Sequence, residues 1–188
     1  MKKIVILLAP GFEEMEAVIP ADLLVRAGVQ VDFAAVSEEK CVKGSRSISL
    51  LSTIGMNQLD LTYDGVIVPG GMPGAVNLNA SEETGNYLRT MFNAGKLVCS
   101  ICASPALVLA PLGILKGKKF TCYPGMENEI APENLTGAVF STDKAVRDGN
   151  LITSRGPGTA SDFACAIIEA LTGKENALSV MANALYMN

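Results

Sequence analysis

Five short, predominantly apolar runs punctuate the chain: Lys3–Leu8, Gln30–Ala35, Gly65–Val68, Leu97–Ile101 and Leu151–Thr153. They do not alternate apolar with polar, which fits strands buried on both faces, as in a parallel sheet. Segments with helical spacing lie between them. Glu14–Ala27 carries Met15, Val18, Ile19, Leu23 and Leu24 on one stripe, meets Pro20, where a kink or restart is expected, and stops at Gly28. Ser81 is placed to cap a helix through Ala94, with Glu82 and Glu83 in the first turn and Gly95 at its end. Ser104–Pro105 opens another helix, and Ala160–Leu171 and Lys174–Leu185 form a pair broken at Gly173. Val42–Thr53 differs, being short, serine-rich and alternating around Gly44, and reads as a β-hairpin excursion. Strand–helix alternation predicts right-handed crossovers and a helix–sheet–helix sandwich. No linker or internal repeat interrupts residues 1–188, so one α/β domain is expected over the whole chain.

Composition narrows the chemistry. The 188 residues include no histidine, no tryptophan and five cysteines. Ser-His-Asp and Cys-His pairs and histidine metal sites are therefore excluded, leaving carboxylates, thiols, tyrosines and lysines to move protons. A net charge of −4 without a basic cluster argues against a nucleic-acid partner. No stretch approaches the ~20 apolar residues that span a bilayer, so no membrane partner is expected. The apolar run after Lys2 and Lys3 is too short for a signal peptide. An odd cysteine count without an export signal reads as free thiols, and a cytoplasmic protein is expected. No close second cysteine pair offers a metal site, and neither metal nor cofactor is expected.

Ligands in open α/β sheets gather at the carboxyl ends of strands. Three such ends stand out: Pro10-Gly11-Phe12-Glu13-Glu14-Met15-Glu16, Pro69-Gly70-Gly71-Met72-Pro73-Gly74 and Ser100-Ile101-Cys102-Ala103-Ser104-Pro105. The last has a nucleophile between small neighbours where a strand turns into a helix, the pattern of a nucleophile elbow. N–H groups at the following helix start would favour a Cys102 thiolate. The alternative is one more buried cysteine. Cys99 and Cys102 also match the C-x-x-C redox pattern. With Cys99 inside a strand, however, the two Cα atoms should lie ~10 Å apart, beyond the ~7 Å that a disulfide spans. Cys99 and Cys165 are read as core or stripe residues, Cys122 as lying near a strand end and Cys41 in a turn. Glu13, Glu14 and Glu16 crowd one turn. They form either a solvated acidic helix start or, in one case, an inward carboxyl with a raised pKa, and the residues alone do not choose among them. Gly70 and Gly71 allow close backbone approach and N–H donation to an oxyanion, or simply make a turn.

Four segments together are similar to the ThiJ/PfpI family, and specifically to its parkinsonism-associated deglycase branch. They are Gly-Phe-Glu-Glu-Met-Glu-Ala-Val-Ile-Pro (11–20), Val-Pro-Gly-Gly-Met-Pro-Gly-Ala (68–75), Ser-Ile-Cys-Ala-Ser-Pro (100–105) and Thr-Ser-Arg-Gly-Pro-Gly-Thr (153–159). They follow the family order and span most of the chain. The resemblance implies a flavodoxin-like sandwich and a homodimer. It also implies Cys102 as the reactive thiol, Glu16 as the protonated carboxyl bonded to it, and Gly71 and Ala103 as backbone donors beside it. Gly70 belongs to the substrate pocket, and Arg46 matches an arginine reaching that pocket near the dimer interface. Arg155 and Pro157 match a loop lining it. Relatives carry histidine where this chain has Tyr123, which is either a positional substitute able to hydrogen-bond or a pocket wall.

The activity so implied is cysteine-dependent and independent of glutathione. A small α-oxoaldehyde such as methylglyoxal or glyoxal becomes a 2-hydroxy acid, with deglycation of proteins as a facet of the same chemistry. The competing expectation is non-enzymatic: an oxidative-stress sensor or chaperone that uses oxidation of Cys102.

Overall fold

The computed structural model describes residues 1–186. Seven strands form the central sheet: β1 (Lys3–Leu8), β2 (Gln30–Ala35), β5 (Ile54–Gly55), β6 (Gly65–Val68), β7 (Leu97–Ile101), β10 (Ala145–Asp148) and β11 (Leu151–Ser154). Their order is β10-β11-β7-β6-β1-β2-β5, parallel except where β10 runs against β11. The continuous apolar runs thus occupy the middle of the sheet, where Ile4 to Leu8 and Val66 to Val68 are fully buried. α1 (Glu14–Arg26), α4 (Ala160–Thr172) and α5 (Lys174–Asn183) pack together on one face. α2 (Gly74–Ala80), α3 (Glu82–Asn93) and a π-helical turn over Pro105–Leu109 pack on the other. The result is the three-layer flavodoxin-like architecture.

The predicted hairpin exists as β3 (Cys41–Lys43) paired antiparallel with β4 (Ser49–Leu51). Ser81 caps α3 as expected, its side chain accepting from the Thr84 N–H at 3.1 Å. Gly173, at φ 95°, separates α4 from α5.

The differences are instructive. Pro20 neither ends nor restarts α1, which runs through it to Arg26 with one internal N–H donor missing. The helix expected from Pro105 is only the π-helical turn, since Pro111 and the left-handed Gly113 and Gly117 follow it. Cys41 begins β3 and is exposed instead of lying in a turn, and Cys165 is half-buried beside the apolar stripe of α4. The short strands β5 and β10, the parallel pair β8 (Lys119–Phe120) and β9 (Val139–Phe140), and α2 are additions that periodicity did not indicate.

Candidate functional site

The site is built at the carboxyl ends of β1, β6, β7 and β11. β7 ends in a sharp turn that holds Cys102 at φ 66°, a left-handed conformation that a non-glycine residue adopts only at a cost. Two backbone bonds pin it there. The Cys102 N–H donates to the Ser154 carbonyl at 3.0 Å, and its own carbonyl accepts from the Tyr123 N–H at 2.8 Å. Ser104 secures the next turn by donating its hydroxyl to the Pro69 carbonyl at 2.6 Å. Cys102 is nearly buried, with its sulfur facing the backbone N–H groups of Gly71 and Ala103.

Opposite the thiol stands Glu16, fully buried on the first turn of α1. Its Oε2 accepts from the Gly70 N–H at 2.7 Å, its Oε1 is buried without a hydrogen-bond partner, and the carboxyl lies beside the Cys102 thiol. Burial pushes the Glu16 carboxyl up from 4.5 to about 7, against the opposing pull of the Gly70 N–H. Burial, and then the Glu16 charge, push the Cys102 thiol upward, while the N–H groups of Gly71 and Ala103 act in the opposite sense. The expectation of a thiol lowered by a helix start is therefore corrected. The following helix is a single π-helical turn, and desolvation dominates. A proton held on Glu16 removes the carboxylate charge that opposes the thiolate, so the two groups ionise as a pair.

Gly70 has a direct steric reason. A Cβ there would fall 2.7 Å from the Cys102 Cβ and 2.9 Å from Glu16 Oε2. Gly71, at φ 88°, runs so close to residues 11–13 that a Cβ would strike their backbone.

The three crowded glutamates divide the work. Glu13 is the N-cap of α1, accepting from the Glu16 N–H at 2.9 Å. Glu14 is buried rather than solvated. It accepts from the N–H of Arg46 at 2.6 Å, the N–H of Ile48 at 3.3 Å and the Ser45 hydroxyl at 3.3 Å, clamping the hairpin loop to α1. Only Glu16 reaches the thiol.

A cleft of about 360 Å³ opens above Cys102. Gly71, Ala103, Arg46, Tyr123 and Pro157 line it, as do Met72 and Met126, which sequence reasoning did not single out. Met72 sits within the glycine-rich segment, but nothing local marks Met126. Tyr123 is half-exposed, its ring edge lying over Gly156. Arg155 lies just after β11 with its Nη1 donating to the Thr142 carbonyl at 3.1 Å, and it does not line the cleft. Cys99 is buried in β7, where desolvation raises its pKa. No group of three Cys, Asp or Glu among the described residues is arranged to hold a metal ion.

The DJ-1/PfpI family model matches residues 2–170. The chain belongs to the DJ-1/PfpI family. Among the family's members, Protein dj-1beta of Drosophila melanogaster is 42% identical over 181 residues, covering 95% of this chain and 94% of that one. The crystal structure of Drosophila melanogaster DJ-1beta superposes with a TM-score of 0.90 at 41% identity, covering 98% and 97% of the two chains. A Caenorhabditis elegans member named glutathione-independent glyoxalase DJR-1.2 is 36% identical over 183 residues, covering 96% and 94%. Among the described residues, no helix is long and apolar enough to cross a membrane.

Proposed function

We propose that this chain converts small α-oxoaldehydes to 2-hydroxy acids without glutathione. The observation that carries the reading is the Cys102 elbow, with its sulfur set between two N–H groups and the buried Glu16 carboxyl. The glyoxalase name of the nematode relative supports it. The Cys102 sulfur adds to the aldehyde carbon, and the N–H groups of Gly71 and Ala103 receive the developing oxyanion. Glu16, with a pKa of about 7, is half-protonated near neutrality and can both accept and return a proton. It takes the proton from the former aldehyde carbon of the hemithioacetal and returns it to the neighbouring carbon, leaving a thioester on Cys102. Water cleaves that ester, releasing the 2-hydroxy acid and restoring the thiol. Arg46 and Tyr123 bound the substrate, and Tyr123 offers a hydroxyl where an imidazole base would otherwise act. Removal of free aldehyde by the same route drains reversible adducts on proteins, which is the form a deglycase activity takes here.

The decisive experiment is methylglyoxal consumption by purified protein and by Cys102→Ala. Turnover by the wild type that vanishes in the variant supports the mechanism; equal turnover in both sinks it.

One observation favours a second reading. Among the described residues, the carboxylate that lines the cleft, Glu13, is engaged as the N-cap of α1, and thiolate oxidation requires no base. Cys102 would then act as an oxidative-stress sensor. Mass spectrometry after mild peroxide distinguishes it, because a sensor requires Cys102 to oxidise well ahead of the buried Cys99.

The partner proposed for the fold is a second copy of the chain. Met15 and Val18 on α1, and Ile48 and Leu51 on the hairpin, are exposed apolar side chains on the two elements that Glu14 ties together. Sedimentation of Val18→Glu against the wild type tests it.

A further inference from the structure

Beneath the elbow lies a group of buried hydroxyls that the proposed reaction does not use. Ser100, Thr121 and Thr153 are each fully buried. The hydroxyls of Ser100 and Thr121 have no protein partner, whereas Thr153 Oγ1 accepts from the Thr121 N–H at 2.9 Å. Topology brings the three together. Ser100 on β7 and Thr153 on β11 are register partners in a parallel pair, so their side chains leave the same face of the sheet about 5 Å apart. Thr121 is bonded to that same Thr153 oxygen from the segment after β8. Two residues further along each segment come Cys102 and Tyr123, joined by their own backbone bond. The hydroxyl layer therefore lies one strand repeat, about 6–7 Å, below the reactive turn.

Burying a hydroxyl without a partner is costly, and two bare hydroxyls in one layer would compound that cost beside an already strained residue. A single water suits the donors and acceptors available. Each hydroxyl can give or take one bond, and Thr153 Oγ1 keeps a proton to donate. Three partners are typical of a buried structural water. We infer that Ser100, Thr121 and Thr153 form an internal water-binding site that ties β7, β11 and the segment leading to Tyr123 together under Cys102. The water is a fixed part of the fold and makes the elbow's base rigid.

The sign of a stability change tests this. Thr121→Val removes the hydroxyl but keeps the shape. If the hydroxyl holds a water, the folding equilibrium constant falls about tenfold, and Thr121→Ser, which keeps the hydroxyl, falls less. If the hydroxyl is bare, valine raises the constant, and the inference is overturned. A high-resolution crystal structure of the wild type supplies the second readout. Solvent density within hydrogen-bond reach of both Ser100 Oγ and Thr121 Oγ1 is expected, and a dry layer refutes the site even if Thr121→Val is destabilised.

Discussion

Replacing Glu16 with glutamine isolates the effect of burying an ionisable group at this site. Burial raises the folded-state carboxyl from 4.5 to about 7, so the folded protein holds this proton more tightly than the unfolded chain does. Its contribution to stability is complete below about pH 4.5, declines as pH rises toward 7 and is gone above that. A shift of this size corresponds to about 3 kcal/mol in total, of which about 2 kcal/mol falls between pH 5 and 7.5. Glutamine is neutral throughout and can still accept from the Gly70 N–H, so Glu16→Gln escapes the loss. Urea unfolding of both proteins at fixed concentration, in steps across that window, measures the difference. The variant should gain on the wild type by about 2 kcal/mol as pH rises from 5 to 7.5. The thiol stays out of the comparison, because its own pKa is pushed upward. Parallel stability curves for the two proteins would show that Glu16 is not held protonated by burial, and the proton-shuttling role would fall with it.

The packing at Gly70 leads to a second expectation: Gly70→Ala drives a Cβ against Cys102 and Glu16, costing roughly 1–3 kcal/mol and most of the aldehyde turnover. Circular-dichroism melts and a methylglyoxal assay read the two effects, and a fully active alanine variant would contradict the packing. Cutting the clamp with Glu14→Ala leaves the Arg46 and Ile48 N–H groups without their acceptor. Amide exchange over residues 44–48 should accelerate, with about 1–3 kcal/mol lost overall; unchanged protection there would remove Glu14's role. With no imidazole in the chain, the neutral limb of the turnover profile should be set by Glu16 near pH 7, and Glu16→Gln should lose most of its turnover at every pH. A limb that persists in the variant would assign it to another group.

How much of this was legible beforehand depended on whether the signal was local. The central strands appear in the chain as apolar runs because both their faces are covered, and residue bounds such as Lys3–Leu8 and Leu97–Ile101 carry over directly. The edge strands β5 and β10 left no such trace. They are short and half-exposed, and they owe their existence to backbone pairing with β2 and β11. The elbow at Cys102 could be read from the small residues around it, but the direction of its thiol pKa could not. That direction comes from desolvation and from a carboxyl 86 positions away in the chain.

The sequence by itself determined the α/β class, the reactive-cysteine motif, the family resemblance and the absence of any imidazole, because each is written in residue type and short-range spacing. Only the tertiary structure decided which of three neighbouring glutamates faces the sulfur. Glu13, Glu14 and Glu16 share one chemistry, and α1 aims one at its own first turn, one at the hairpin and one at Cys102. It likewise decided why residue 70 must be glycine, since the atoms that forbid a side chain there belong to Glu16 and Cys102. Burial and close approach depend on which distant segments meet, and no local pattern encodes that meeting.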